Sequence, residues 1–323
     1  MRRILVSIVG IFVCFAAFIH CADITWDNDS EDGKWSTATN WSSDSVPGSN
    51  DKAVFDGSQT DNCSIDDNVN VKGIDIQSGY TGTITQATGK TITVGSDDFT
   101  IAGGTFTGGD STIDINTTTG DFTLSGGTFT STSGTMNIGH DFTISGGTFN
   151  HNSGKIKLDY YNKTVNIGST ILNDLEINMG TYSMTISGSI DVNGNLDVFD
   201  VGAINSGNIK VAGHVTTTDD AVSTSTGAYI EIDGSDDQTL GASGGTGQLH
   251  GVKINKSGGT LTIQDTIAIQ QGGWTYSNGT VVSGSSTVKF VTGSITIDSN
   301  GMSFNNVEFN AGSYGHTCIA RRN

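Results

Sequence analysis

The side chains best suited to chemistry in this chain are its carboxylates and histidines. Asp27-Asn28-Asp29-Ser30-Glu31-Asp32-Gly33 sets oxygen atoms at alternate positions, an arrangement that suits Ca²⁺. The glycine falls one place late for an EF-hand loop and the bidentate glutamate is missing, so the segment reads as a solvated acidic turn between Trp26 and Trp35. Asp97-Asp98, Asp219-Asp220 and Asp236-Asp237 are adjacent pairs. Neighbours on a strand point to opposite faces, and in a turn both face water, which makes these turn residues and not a hydrolytic pair. His140, His151, His214 and His316 show no ligand spacing with cysteine or carboxylate and read as surface or turn residues. No catalytic, cofactor-binding or metal-ligating residue is assigned on these grounds, and no cofactor is expected.

The elements that carry these residues announce themselves as repeats. Asp98-Phe-Thr-Ile-Ala-Gly-Gly-Thr-Phe-Thr returns from Asp121 and again from Asp141 with little change. Five apolar columns stay in step: Phe99/Phe122/Phe142, Ile101/Leu124/Ile144, Phe106/Phe129/Phe149, Ile113/Met136/Ile156 and Ile115/Ile138/Leu158. Within a copy the apolar positions are two apart inside a run and five or seven apart between runs, the pattern of three short strands joined by turns. One triplet cannot bury its apolar face alone, but stacked copies pile like on like into a core. Gly103-Gly104, Gly126-Gly127 and Gly146-Gly147 mark one corner, where positive φ lets the chain turn. Asn116-Thr-Thr-Thr-Gly120 absorbs a length difference as a surface loop.

In the second half, Lys155-Ile-Lys-Leu-Asp, Tyr229-Ile-Glu-Ile-Asp and Thr287-Val-Lys-Phe-Val precede partners at Asp174-Leu-Glu-Ile-Asn, Gly251-Val-Lys-Ile-Asn and Asn306-Val-Glu-Phe-Asn. The offsets of 19 to 22 residues keep the coil length, so about twelve coils and a rod of about 55–60 Å follow from the inter-strand spacing. The expected fold is an all-β, right-handed parallel β-helix, a β-solenoid with about 20 residues per coil. A pair of β-sandwiches is the competing fold, and it predicts antiparallel hairpins instead. A single proline among 323 residues agrees with strands bonded on both sides, and 45 glycines agree with many corners.

Met1-Arg2-Arg3 followed by an apolar run from Ile4 to Ile19 has the layout of a secretory signal peptide, expected over 1–22. The remaining divisions are 23–76 as a Trp-rich cap with the first strands, 77–313 as the solenoid, and 314–323 as an irregular tail that reads like a truncated end. Cys14 and Cys21 fall in the leader, and Cys63 and Cys318 stand 255 residues apart, so no disulfide framework is implied. Without Arg2 and Arg3 the balance is 13 basic against 33 acidic residues, which repels nucleic acid and anionic lipid. No membrane span is expected after the leader.

The Trp26, Trp35 and Asn40-Trp41 cluster, Val46-Pro47, Asp51 and Ala53-Val54-Phe55, followed by Gly-Gly-Thr-Phe coils, resembles bacterial exported β-solenoid repeat proteins, akin to autotransporter passengers. The resemblance implies a cell-surface or extracellular scaffold of adhesive or envelope-structural role, without an enzyme's shared active-site motif. Its expected partner is a surface ligand, a glycan or another surface protein. The alternative is a carbohydrate-active β-helix enzyme, a polysaccharide lyase or hydrolase. His250-Gly-Val-Lys-Ile faintly resembles a pectinase motif, but the acidic residues that accompany it there are absent, and Lys253 reads as the outward member of an alternating strand. Tyr160, Tyr161, Trp274 and Tyr276 could stack on sugars or fill gaps between irregular coils, and packing is the favoured reading.

Overall fold

Alternation of apolar and polar residues with a period of two, cut every few residues by glycine or aspartate, yields short strands that each bury one face. The computed structural model describes residues 22–115, 117–218, 228–292, 294–310 and 317–321. These strands wind into a parallel β-solenoid of about 12 turns with about 21 residues per turn. Residues 1–21 of the expected leader fall outside the described residues, as do Asn116, Asp219-Asp220, His316 and the last two residues of the tail. No helix among the described residues is long and apolar enough to cross a membrane.

The five apolar columns stand in the predicted register. Phe99 pairs with Phe122 and Phe122 with Phe142; Phe106, Phe129 and Phe149 follow suit, as do Ile113, Met136 and Ile156. Three sheets result, one per side of the coil. The first has nine strands, from Asp23–Thr25 to Ala203–Ile204, and the second has five, from Cys63–Ile65 to Thr148–Asn150. The third begins at Val69–Val71. At the glycine corner the two residues do different work. Gly127 adopts φ +66°, whereas an added Cβ on Gly126 would come 2.3 Å from the Ala102 carbonyl oxygen of the coil before. Only the second glycine answers the need for positive φ; the first is demanded by the close approach of coils.

Parallel pairing starts early, for Asp23–Thr25 already lies against Lys52–Val54. Trp26, Trp35 and Trp41 are buried over the first coil, with Trp35 and Trp41 ring centroids 4.6 Å apart and Phe55 within 6.0 Å of all three. Trp41 Nε1 donates to the Trp35 carbonyl. An indole cluster thus closes the open end of the core and hands over through Phe55 and Tyr80 to the stack above.

The later coils are cut differently. The second sheet stops at Asn150, a new strand column opens at Ile171–Leu172, and the first sheet ends at Ile204. The three loosely repeated pairs do face one another, Leu158 on Ile177, Ile232 on Ile254 and Phe290 on Phe309. They belong to three separate columns, however, so they are not successive copies of one coil. What they share is charge: Lys157 faces Glu176, Glu231 faces Lys253, and Lys289 faces Glu308. Lys253 Nζ sits 2.9 Å from Glu231 Oε1. Burial raises the Glu231 carboxyl, but hydrogen bonds from Lys253 and Asn255 and the Lys253 and Lys210 charges outweigh it and leave the group below the ordinary range. Lys253 therefore does point outward, and it works as a cross-coil clasp.

Candidate functional site

In a parallel stack the residue just before each strand lies directly over its counterpart in the next coil, and its backbone N–H looks for an acceptor there. Aspartate supplies one. Asp98 Oδ1 accepts the Asp121 N–H at 2.9 Å, Asp121 Oδ1 accepts the Asp141 N–H at 3.1 Å, and Asp141 Oδ1 accepts the Thr164 N–H at 2.6 Å. Asn62, Asn162, Asp174 and Asp237 do the same for Thr83, Ser183, Asn195 and Thr260. The aspartate that opens each repeat is thus a rivet between coils. Asp97, its neighbour, pairs with Lys72 at 3.0 Å. Of the Asp236-Asp237 pair, Asp237 Oδ1 accepts the Thr260 N–H and the Asp236 backbone carbonyl accepts from Lys256 Nζ.

At one place the ladder gathers further groups. His140, immediately before Asp141, brings Nδ1 to 2.5 Å from Asp121 Oδ1. Ligand atoms of Asp121, His140 and Asp141 all lie within 4.8 Å of one another, and among the described residues this is the one set of three His, Cys, Asp or Glu side chains at such separations. All three are half-buried. His140 and Asp141 open onto a groove of about 520 Å³ that continues over Asn162, Lys163, Thr164, Ser183, Thr185 and Asn205. Two smaller grooves, about 460 and 210 Å³, hold one titratable side chain each, His151 and Asp265, so neither joins two such groups. Searches against known protein families, curated proteins and solved structures found no match.

Lys163 forms the groove's floor and is not available to a ligand. Its strand, Lys163–Asn166, alternates buried and exposed residues, and Lys163 takes a buried position. Nζ turns inward and donates to the carbonyl oxygens of Ile138, Gly139 and Asp159 at 2.8–2.9 Å. Burial lowers its pKa to about 8, so at pH 7 it remains an ammonium with three donors for three acceptors. Lys256 repeats the device four coils on, donating to the Gly234 and Asp236 carbonyls and to Gln238 Oε1.

The other candidate residues separate cleanly. In the acidic cap loop the Asp32 carboxylate accepts from the Lys34 N–H, Asn40 Nδ2 and Thr37 Oγ1, and these bonds hold its carboxyl well below the usual range. Asn28 is tied to Asp61 and to the Gly33 N–H. Asn28 and Asp32 thus spend their side-chain oxygens on bonds within the cap. Trp274 is 0% exposed and packs on Phe304, while the Tyr276 hydroxyl donates to the Gly279 carbonyl. Tyr160, at 53% exposure, stands outside with Tyr161 and Tyr182 in a ring-to-ring row at centroid distances of 6.2 and 5.4 Å. Cys63 is a buried free thiol.

His250 is 3% exposed, too deep for a catalytic acid. Its Nε2 accepts the N–H of Ile204, the last strand residue of the first sheet, and so closes that sheet's edge. Burial lowers its pKa from 6.5 to about 4. The native state therefore resists the proton that the unfolded chain takes up below pH 6.5. The contribution to stability is complete above pH 6.5 and declines by on the order of 3 kcal/mol as pH falls to about 4. His250→Gln, which keeps an acceptor and does not titrate, should remove that decline. Urea denaturation of both proteins between pH 4 and 7 measures it, and a pH-independent gap between them would contradict a neutral buried imidazole.

Proposed function

We propose that this protein is a non-enzymatic, exported, cell-surface or extracellular β-solenoid whose role is adhesion or envelope structure. The observation that carries the reading is the commitment of the polar surface to the stack itself. Corner carboxylates and amides accept N–H groups of the next coil, facing lysines and glutamates clasp neighbouring strands, and Thr100, Thr123 and Thr143 run in a ladder along the outer face. Such a construction gives a stiff, acidic rod that presents a regular surface over many coils. Fold alone does not assign a role, and the export layout of residues 1–22 together with the resemblance to autotransporter passengers supplies the remainder of the reading. The Tyr160, Tyr161 and Tyr182 row is the surface suited to contact with a partner, because exposed rings offer apolar faces at low entropic cost.

The enzymatic alternative rests on one observation, the meeting of Asp141, His140 and Lys163 in the same groove. Against it stands the Lys163 ammonium, which is directed at three backbone carbonyls. Both readings are decided with the mature chain in one pair of assays. Binding to a glycan array, reduced by Tyr161→Ala with Tyr182→Ala, is expected, together with no turnover of uronic-acid polysaccharides with or without calcium. Turnover that disappears in Asp141→Asn would overturn the non-enzymatic reading.

A further inference from the structure

From the cluster at the head of the groove we infer a divalent transition-metal site, of the Zn²⁺ class, formed by Asp121, His140 and Asp141. The inference is independent of the adhesive role. The three side chains come from two successive coils, Asp121 from one and His140-Asp141 from the next, because Phe122 pairs with Phe142 and so sets Asp121 over Asp141. Their ligand atoms converge within 4.8 Å, a separation that small rotations of half-buried side chains at the groove's edge reduce to the spacing around one ion. Each aspartate uses Oδ1 to accept a backbone N–H, which orients the carboxylate and leaves Oδ2 for an ion.

The donor chemistry selects the metal. One imidazole nitrogen with two carboxylates suits a first-row transition ion, whereas Ca²⁺ and Mg²⁺ take oxygen alone and prefer more of it. Without a cation, the close approach of His140 Nδ1 to Asp121 Oδ1 requires a proton between them. On binding, the Nδ1 lone pair goes to the ion, the ring carries its proton on Nε2, and Asp121 offers Oδ2, so the hydrogen bond to Oδ1 is exchanged for metal bonds. Charge favours the exchange, since two carboxylates face one ammonium, and that ammonium is held inward by Ile138, Gly139 and Asp159. Three protein ligands leave a coordination position toward the groove, where Asn162 and Ser183 line the wall, so water or an oxygen of a ligand completes the shell. The ion would clip two coils together as the aspartate rivets do.

The test uses the mature chain stripped of metal with a chelator. Titration with ZnCl₂ by calorimetry should show one ion per chain and a raised Tm, and Co²⁺ should give the visible absorption of a mixed nitrogen and oxygen site. His140→Gln and Asp141→Asn are the decisive variants, because the glutamine replaces a half-exposed ring and the asparagine keeps the acceptor for the Thr164 N–H. Far-UV circular dichroism first establishes that each variant is folded. Either should weaken Zn²⁺ by more than the about 10–100-fold that loss of a hydrogen-bonding neighbour costs, and abolish the Co²⁺ spectrum. Excess Ca²⁺ should not compete. No stoichiometric binding by the wild type, or unchanged affinity in both folded variants, would overturn the site.

Discussion

Phe129→Asp should collapse the coils around it, and hydrogen exchange should show where. Phe129 is wholly buried, with ring centroids 5.1 Å from Phe106, 5.8 Å from Phe99, 4.8 Å from Phe122 and 5.6 Å from Phe149. Truncating a core phenylalanine costs about 3–5 kcal/mol, and burying a carboxyl with no partner adds several more. A whole domain has only about 5–15 kcal/mol to lose. In a solenoid each coil depends on its neighbours, so protection should vanish first between Phe99 and Phe149 and outlast that region in the later coils. The control lies one residue along. Thr130 is on the opposite face of the strand, and its hydroxyl accepts from Asn150 Nδ2, a bond an aspartate can keep. Thr130→Asp should stay within about 0.5 kcal/mol of the wild type. Equal melting of the two variants would mean that the Phe column does not face inward.

That contrast rests on the part of the fold that was plain in the sequence. Identical Asp-Phe-Thr blocks at offsets of 23 and 20 residues fix which residue lies on which, and every pairing of the five columns follows. The later coils were harder because the cross-section changes at Asn150 and again at Ile204. Similar motifs at Lys155, Tyr229 and Thr287 look like one repeat, yet they mark three columns and owe their likeness to the ion pairs they make. Opposite charges facing each other at offsets of 19 to 22 residues were the readable trace of that. The cluster of Asp121, His140 and Asp141 was legible only through the register: no local spacing joins residues 19 and 20 apart, but the coil offset places Asp121 over Asp141 and so beside His140. Lys163, His250 and Lys256 were hidden for a different reason. A period-of-two reading sends charged residues outward, and nothing local shows that a coil corner turns carbonyl groups inward to meet Lys163 and Lys256, or that a sheet edge leaves the Ile204 N–H for His250 to accept.

Those inward lysines carry the second large effect. Lys163 pairs in register with Met184, so the same core position holds an apolar side chain of similar length one coil later. On packing alone, Lys163→Met should be harmless or even favourable, since exchanging a buried charge for a well-packed apolar residue often stabilises. The hydrogen bonds argue the reverse. Removing the ammonium strips a charged donor from the Ile138, Gly139 and Asp159 carbonyls at once, at a position only 5% exposed. One buried polar group left without a partner costs about 1–3 kcal/mol, so a loss of about 3 kcal/mol is expected from the set. Lys256→Met, which abandons Gly234, Asp236 and Gln238, should cost a similar amount. The two lysines share no partner, so the double variant should lose the sum of the single losses, roughly 6 kcal/mol. Urea titrations of the two single variants and the double variant measure this directly. If Lys163→Met matches or exceeds the wild type in stability, the carbonyls do not need the ammonium, and the lysine would have to be explained by the groove above it.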